Sequence, residues 1–270
     1  MNTKIYVVVH KQTDLPEVPG YVPLVVGKNP DVQYTDGIRD NTLDNIADKN
    51  PNYCELTGLY WLWKNVHDVK YIGLSHYRRY FETTISGKDD SCILSVEKAE
   101  SLLQKYDVIM AYPYSWFDET VEQWFLDTDG KEKDIKCLRE VIAEKYPSYL
   151  DEYDHVMQGY SASYLNLFVM SKELMDQYCS WLFDILAEVE NRTDLTGYTP
   201  LEARIYGFMS ERLLNVWVQK QNFRVKYLHI YQRENPKSRK EDIKDILKYI
   251  VVKHHWKFIM KNLSFGKMHK

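Results

Sequence analysis

Two short apolar runs near the N-terminus predict the first strands of a sheet. Residues 4–10 read KIYVVVH and residues 21–27 read YVPLVVG. Both runs are rich in β-branched residues and end at a polar residue or a glycine, which is typical of buried strands. The run Ile5–Val9 is shorter than the apolar core of a signal peptide, and no stretch approaches the roughly 18 apolar residues of a membrane span. We therefore expect a cytoplasmic protein.

Helix-like and strand-like patterns then alternate along the chain. A polar, turn-rich connection over 29–52 precedes CELTGLYWLWKNV, whose apolar residues fall at helical spacing, and YIGLSHY follows as a strand. Further helices are predicted at 95–106, 171–192 and 206–221, further strands at 107–113, 161–170 and 223–231, and an acidic, mainly helical segment at 114–160. This order favours one α/β domain over 1–236, with a mixed or parallel sheet flanked by helices.

The last 34 residues differ from the rest in charge. Residues 237–270 contain ten Lys or Arg and three Asp or Glu, a net charge of +7, so the remaining 236 residues carry −11 of the total of −4. Apolar residues recur through the same segment, which predicts a basic amphipathic helix suited to an anionic membrane surface. The alternative is a helix that packs on the domain with a solvated basic face. The acidic remainder argues against nucleic acid as a partner.

Composition narrows the function classes. Aromatic residues make up 14% of the chain, with 22 Tyr and 7 Trp, which suits either sugar-stacking surfaces or a tyrosine-rich core. The four cysteines form no C-x-x-C pair, so we expect reduced thiols. The chain has no G-x-x-x-x-G-K-[ST], G-x-G-x-x-G, G-x-S-x-G or H-E-x-x-H motif, which argues against the usual P-loop, dinucleotide, serine-hydrolase and zinc-protease sites.

The stretch YIGLSHYRRYF (residues 71–81) places charged residues where a buried strand ends. Strand ends facing a crevice bind ligands in open α/β sheets, and arginine grips phosphate through paired donors. His76, Tyr77, Arg78 and Arg79 are therefore a predicted diphosphate site, the alternative being surface arginines in salt bridges. Alternation along a strand would point the two arginines in opposite directions. His10 and Lys11 follow the first strand and are candidates for the same nucleotide.

Three other segments carry candidate chemistry. Glu211 in RIYGFMSERLLNVW is a candidate general base at the start of a helix, unless it only interacts with the helix dipole. The connection that ends at residue 55 offers Asp44, Asn45, Lys49, Asn50 and Glu55. Asp44 and Asn45 could bind ribose or a base edge and Lys49 a phosphate, whereas Asp44 and Asn45 could also simply form turns. Asp127-Thr128-Asp129 has the spacing of a divalent cation site, although acidic triplets are common on surfaces.

Long motifs in the chain resemble a known family. These motifs are VVVHK, DNIADKNPNYCELTGLYWLWKN, YIGLSHYRRYF, YLNLFVMSKELMDQYCSWLFDIL and YGFMSERLLNVW. They resemble a glycosyltransferase-like family from bacterial capsule, exopolysaccharide and O-antigen gene clusters. The resemblance implies a type A glycosyltransferase fold and an inverting transfer of galactofuranose from UDP-galactofuranose to a saccharide or lipid-linked acceptor. A cytoplasmic protein, peripheral on the inner face of the plasma membrane, would suit that activity.

The resemblance also implies roles for residues. The HYRR run falls on residues 76–79, where the type A fold normally has an acidic metal-binding triplet, so we expect no cofactor and arginines in place of Mn²⁺ or Mg²⁺. The S-E-R run falls on 210–212 and makes Glu211 the expected base by fold analogy. The family's GDNIS stretch reads LDNIA here, which keeps the Asp44–Asn45 pair. Expected acceptor or sugar contacts are Tyr80, Asn166, Arg204, Ser210 and Arg212.

Three alternatives stay open at this point. The first is a retaining hexosyltransferase of the same fold, in which Glu211 stabilises an oxocarbenium-like centre. The second is a non-catalytic scaffold of a polysaccharide assembly complex, in which the basic C-terminal segment matters and Glu211 does not. The third is a metal-dependent transferase that uses Asp127 and Asp129.

Overall fold

A computed structural model describes residues 2–84 and 87–253. The strands are β1 Thr3–Val9, β2 Tyr21–Val25, β3 Ile38–Arg39, β4 Tyr71–His76, β5 Arg79–Phe81, β6 Val108–Ala111, β7 Tyr114–Ser115, β8 Ser161–Ala162, β9 Phe168–Ser171, β10 Val225–Leu228 and β11 Ile230–Gln232. The helices are α1 Asn50–Tyr53, α2 Leu56–Asn65, α3 Val96–Leu103, α4 Val121–Thr128, α5 Glu132–Lys145, α6 Leu150–Gln158, α7 Lys172–Arg192, α8 Ile205–Lys220 and α9 Arg239–Lys253.

The central sheet is mixed, as predicted. Its strand order is β10-β6-β9-β4-β1-β2-β3, and β9 runs antiparallel to both of its neighbours. The pairs β1–β4, β1–β2, β2–β3 and β6–β10 are parallel. Val8 of β1 pairs with His76 of β4, so the carboxyl ends of these two adjacent strands meet at one edge of the sheet. That edge is where a ligand site is expected in this class of fold.

Helices cover both faces of the sheet. On one face, the central apolar cluster includes Leu62 of α2, Leu182 of α7, and Met209 and Trp217 of α8. On the other face, Ala99 of α3 belongs to a smaller cluster with core residues of the sheet. Helix α7 begins where the side chain of Ser171 accepts a hydrogen bond from the Leu174 N–H, as its amphipathic pattern and capping serine predicted.

The structure corrects two predicted boundaries. The predicted strand 161–170 is split into β8 and β9, because the backbone turns at Leu165 and Asn166, whose φ angles are 78° and 51°. Helix α8 begins at Ile205, so Gly207 lies inside the helix and not in a turn before it. Glu211 therefore lies nearly two turns into the helix. Its carboxylate is too far along the helix to bind the unpaired backbone N–H groups of the first turn.

Helix α9 forms part of the predicted C-terminal segment and packs on the domain. The Tyr249 ring lies 5.2 Å from the Tyr112 ring and 6.2 Å from the Tyr227 ring, and Lys237 pairs with Asp245 at 2.8 Å. The rest of the predicted segment, 254–270, lies outside the described residues. Within the described part of the chain, no helix has the length and apolarity needed to cross a membrane.

Candidate active site

A cleft of about 480 Å³ opens at the carboxyl ends of β1 and β4. It is lined by Val8, His10, Val26, Asn50, Pro51, Cys54, Glu55, His76, Tyr77, Arg78, Arg79, Leu165, Arg204, Gly207, Phe208 and Glu211. We call it the basic cleft. It brings together the predicted HYRR residues, His10 and the predicted base, although these residues come from distant parts of the sequence.

Both predicted arginines face the basic cleft because they lie in a tight hairpin. Strand β4 ends at His76, Tyr77 and Arg78 form a two-residue turn, and Arg79 begins β5 opposite His76. The expectation that strand alternation would separate Arg78 from Arg79 is therefore wrong, since a hairpin and not a continuous strand carries them. The Arg78 guanidinium lies 3.4 Å from Glu234 in an exposed pair, which contributes little to stability.

Two arginines of the basic cleft have no carboxylate partner among the described residues. No acidic group of residues 2–84 or 87–253 lies within salt-bridge distance of Arg79 or Arg204. The Arg204 Nε donates to the Cys54 Sγ at 3.0 Å, which fixes the guanidinium at the wall of the cleft. Two guanidinium groups without a salt bridge at one cleft form a favourable site for a diphosphate.

The histidines of the basic cleft are held in the neutral form. Burial lowers the pKa of His76, and the charges of Arg79 and Arg78 add to that effect against the opposing charge of Glu55. Burial also lowers the pKa of His10, followed by the charges of Arg78 and Lys11. The Lys11 Nζ lies 5.3 Å from the centre of the Tyr77 ring, beside the cleft. Lys11 itself does not line the cleft, so near pH 7 the arginines supply its positive charge and the imidazoles act as hydrogen-bonding groups.

Glu211 has the properties of a general base. Only 15% of its side chain is exposed, its Oε1 accepts a hydrogen bond from the Leu165 N–H at 2.8 Å, and its Oε2 lies 3.3 Å from the Arg212 guanidinium. Burial raises the pKa of Glu211 to about 7, assisted by the nearby charge of Glu55 and opposed by Arg212. A carboxylate with a pKa near the working pH is suited to accepting a proton from a substrate hydroxyl.

A strained turn fixes the carboxylate of Glu211. Leu165 and Asn166 both have positive φ, a conformation that costs non-glycine residues about 1–3 kcal/mol each. The Asn166 side-chain amide donates to the Glu55 Oε1 and to the Ser210 Oγ, each at 2.7 Å. These bonds hold the turn in place, so that the Leu165 N–H points at Glu211. Strain of this kind is typical of sites that must be pre-organised.

Arg212 is an internal anchor and not a ligand contact. Its side chain is fully buried, donates to the Asp129 Oδ2 at 2.6 Å and to the Phe208 carbonyl at 3.0 Å, and lies over the Tyr164 ring. Its partner Asp129 is one of the two candidate metal ligands. The other, Asp127, accepts a hydrogen bond from Gln123 at 2.8 Å. Both acidic side chains thus already have protein partners.

Burial corrects the predicted acceptor contacts. Tyr80, Ser210 and Arg212 are each 0% exposed and Asn166 is 2% exposed, so none of them offers a free surface to a sugar. The Tyr80 hydroxyl donates to the Tyr77 carbonyl at 3.1 Å, which braces the arginine hairpin. These four residues support the walls of the site. Arg204, the fifth predicted acceptor contact, lines the basic cleft.

Of the candidates in the connection before α2, Asn50 and Glu55 line the basic cleft and the other three do not. The Asp44 Oδ1 accepts from the Tyr60 hydroxyl at 3.2 Å, Asn45 bonds within its own turn, and Lys49 pairs with Glu190, so none of the three lines the basic cleft. Glu55, from the same connection, does line it. The backbone turns at Cys54, with a φ of 52°, and this turn brings Glu55 towards Glu211.

A second cleft of about 490 Å³ adjoins the first. It is lined by Ala111, Tyr112, Pro113, Tyr114, Trp116, Trp124, Asp129, Tyr164, His229, Ile230, Gln232, Lys237, Asp242 and Asp245, together with Arg79, Leu165 and Glu211, which it shares with the basic cleft. We call it the aromatic cleft. Its tyrosine and tryptophan rings suit sugar faces. Glu211 and Arg79 therefore lie at the junction of a cationic cleft and an aromatic one.

Comparisons with known proteins agree with this architecture. The profile of a family described as a domain of unknown function, DUF4422, matches residues 4–222. No curated protein matches the chain at a significant level. A solved structure of the WbbM bifunctional glycosyltransferase, in its apo form, superposes with a TM-score of 0.79 and 27% sequence identity over 88% of this chain. The match covers 46% of that protein, so this chain spans about half its length. The likeness confirms the predicted glycosyltransferase-like α/β fold.

Proposed function

The chain belongs to the DUF4422 family, and from this premise we propose that it is a glycosyltransferase of bacterial surface polysaccharide synthesis. In this proposal the basic cleft binds the diphosphate of a nucleotide-sugar donor and the aromatic cleft binds a saccharide acceptor. The likeness to WbbM, a bifunctional glycosyltransferase, supports this class of activity. The observation that carries the proposal is the position of Glu211 and Arg79, which line both clefts.

Glu211 acts as the base in the proposed reaction. An acceptor hydroxyl in the aromatic cleft gives its proton to the Glu211 carboxylate as its oxygen attacks C1 of the donor sugar. The bond between C1 and the diphosphate oxygen breaks, and the electron pair leaves with the nucleoside diphosphate. Because the attack comes from the side opposite the departing group, the anomeric configuration is inverted. The pKa of about 7 lets Glu211 be ionised before the step and protonated after it.

Arginines stabilise the departing diphosphate. Arg79 and Arg204 have no carboxylate partner among the described residues, and Arg78 is held only by a weak exposed pair. Fixed guanidinium groups aimed at the position where negative charge develops lower the barrier without the cost of reorganising solvent. In the proposed mechanism these groups supply the charge that a divalent cation supplies in other enzymes.

The donor is proposed to be UDP-galactofuranose. The motifs of the chain resemble those of galactofuranosyltransferases, and that resemblance is the support for this choice of sugar. The first test is NMR of the product, because the coupling constant at the new anomeric centre reports its configuration. An inverted centre agrees with Glu211 as base, whereas retention would favour a hexosyltransferase in which Glu211 stabilises an oxocarbenium-like centre.

UDP should stabilise the folded chain against heat. A ligand at 100 times its dissociation constant adds about 2.7 kcal/mol, which corresponds to a rise in Tm of about 5–10 °C for a chain of this size. The measurement is thermal unfolding with UDP, GDP, ADP or dTDP, each with EDTA and with Mn²⁺. We expect a rise with UDP that survives EDTA. A rise that requires Mn²⁺ would contradict the arginine mechanism, and no rise with any nucleotide would favour a scaffold.

The transfer rate should increase with pH through about 7. Because burial raises the pKa of Glu211, the free enzyme holds a neutral carboxylic acid below this pH and an active carboxylate above it. At two pH units below the pKa we expect about a hundredfold lower kcat/KM. The check is a profile of kcat/KM from pH 5 to 9 at constant ionic strength. A rate that stays constant over this range would contradict Glu211 as the base.

A further inference from the structure

The outer face of α9 combines apolar and basic side chains. Ile243, Leu247 and Ile250 are 41%, 56% and 44% exposed and lie at the spacing of one helical stripe. Exposed basic residues flank this stripe: Arg239, Lys240, Lys244 and Lys253. A stripe of large apolar residues that faces solvent on a helix that is already packed needs a partner.

Two of the three acidic residues of α9 are turned away from this face. Asp242 is 4% exposed, and Asp245 pairs with Lys237 at 2.8 Å. Glu241 accepts hydrogen bonds from the N–H and the hydroxyl of Ser238 at the start of the helix. Glu241 is nevertheless exposed, so four exposed basic residues stand against one exposed acidic residue and α9 presents a net positive charge to solvent.

The apolar surface continues from α9 to the rim of the aromatic cleft. Tyr114 and Phe117 are 46% and 43% exposed, and the Lys248 Nζ lies 5.3 Å from the centre of each of their rings. Tyr114 lines the aromatic cleft, as do Asp242 and Asp245 from the inner side of α9. The helix is thus a wall of that cleft on one side and a basic, apolar surface on the other.

We infer that this surface binds an anionic membrane. We define the docking surface as Tyr114, Phe117, Ile243, Leu247 and Ile250 with the flanking basic residues of α9. Charge complementarity selects a lipid surface as its partner, because segment 237–270 carries +7 while the rest of the chain carries −11 and is repelled by anionic headgroups. Aromatic rings at the rim suit the headgroup region, and the aliphatic stripe suits the boundary of the acyl chains.

This placement extends the proposed transferase function, and the identity of the acceptor inferred from it rests on that function. With α9 on the bilayer, the rim of the aromatic cleft lies at the headgroups, so the acceptor is a sugar attached to a lipid carrier. The basic cleft, at the other side of Glu211, stays open to a soluble nucleotide-sugar. Membrane binding itself requires neither nucleotide nor catalysis.

The test is co-sedimentation of the full chain with phosphatidylcholine vesicles, with and without phosphatidylglycerol, in the absence of nucleotide. We expect binding that needs the anionic lipid and weakens at high salt. The triple variant Ile243→Ser, Leu247→Ser, Ile250→Ser should bind about a hundredfold more weakly, since it loses three inserting side chains. The matched control is Leu43→Ser with Leu201→Ser, two exposed apolar residues outside the docking surface, and it should bind like the parent chain.

A second variant tests the position of the cleft. Tyr114→Ser with Phe117→Ser should weaken vesicle binding about tenfold if the rim lies at the headgroups. Equal binding of the triple variant and the parent chain, or equal binding to neutral vesicles, would overturn the docking surface. Unchanged binding of the rim variant would overturn the placement of the aromatic cleft at the bilayer. If the parent chain does not bind vesicles but is stabilised by UDP, the docking surface is wrong and the proposed transferase function stands. If it binds vesicles but is not stabilised by UDP, the docking surface stands and the proposed transferase function loses support.

Discussion

Glu211→Gln should lower the rate of sugar transfer by about 10²–10⁴-fold, the usual contribution of a positioned general base. The amide has nearly the same shape as the carboxylate and can still accept the hydrogen bond from the Leu165 N–H, but it cannot take up a proton. The basic cleft keeps its arginines, so UDP should raise the Tm of this variant as it does that of the parent chain. The measurement is kcat with the acceptor saturating, together with thermal unfolding in UDP.

The same substitution should make the folded chain more stable at high pH. Glutamate has its ordinary pKa in the unfolded chain and a pKa of about 7 in the fold, so the free energy of unfolding falls as the pH rises from the unfolded pKa to about 7 and stays lowered above it. That loss is absent below the unfolded pKa, where both states are protonated. Glutamine removes the ionisation and should add about 1–3 kcal/mol of stability at pH 8. A variant that is stabilised yet inactive cannot owe its inactivity to unfolding.

A control separates the base from a general effect of removing a negative charge. Glu152→Gln removes a carboxylate that pairs with Lys220 at 3.2 Å and lines neither cleft, so it should leave kcat unchanged. If Glu211→Gln also keeps full activity, the base assignment is wrong. A separate outcome, in which neither the parent chain nor any variant transfers sugar, would favour a scaffold function.

The strand-end part of the candidate site could be predicted from the sequence because a local pattern determines it. A β-branched run that ends abruptly in His76 to Arg79 places charge at a strand end, and the parallel sheet then brings this end beside that of β1. Glu211 is singled out by the resemblance of the S-E-R run and by an expected place at the start of a helix, and the second of these reasons is wrong because the helix begins at Ile205. The positions of the strands and of most helices could likewise be predicted, because hydrophobic periodicity is a local property of the sequence.

Other features depend on tertiary contacts that no local pattern contains. Arg212 reads as a candidate ligand in the sequence, yet its pairing with Asp129, 83 residues away, buries it completely. Glu55 gains its place beside Glu211 through the strained backbone at Cys54. The aromatic cleft is assembled from segments near residues 112, 124, 164 and 229, and its tyrosines are not distinguishable by sequence from those of the core.

Arg79→Ala should lower the transfer rate by about 10²–10³-fold, the effect of removing one fixed donor to a developing negative charge. Arg79 lines both clefts and no carboxylate of the described residues neutralises it, so its full charge is available to the departing diphosphate. Its place in β5 depends on the backbone, since the Ser75 hydroxyl donates to its carbonyl at 2.7 Å, and alanine preserves that bond. The measurement is kcat/KM for the donor.

Three further arginine variants show whether Arg79 acts through its charge, its forked geometry or its position. Arg79→Lys keeps the charge but loses the forked geometry, so it should recover part of the rate if Arg79 binds phosphate oxygens through paired donors. Arg78→Ala should have a smaller effect, because Arg78 is 45% exposed and shares its charge with Glu234. Arg224→Ala, which breaks only an exposed pair with Asp107, should have none. Equal losses of rate for Arg79→Ala and Arg224→Ala would indicate that the net charge of the protein, and not the position of Arg79 in the cleft, governs donor use.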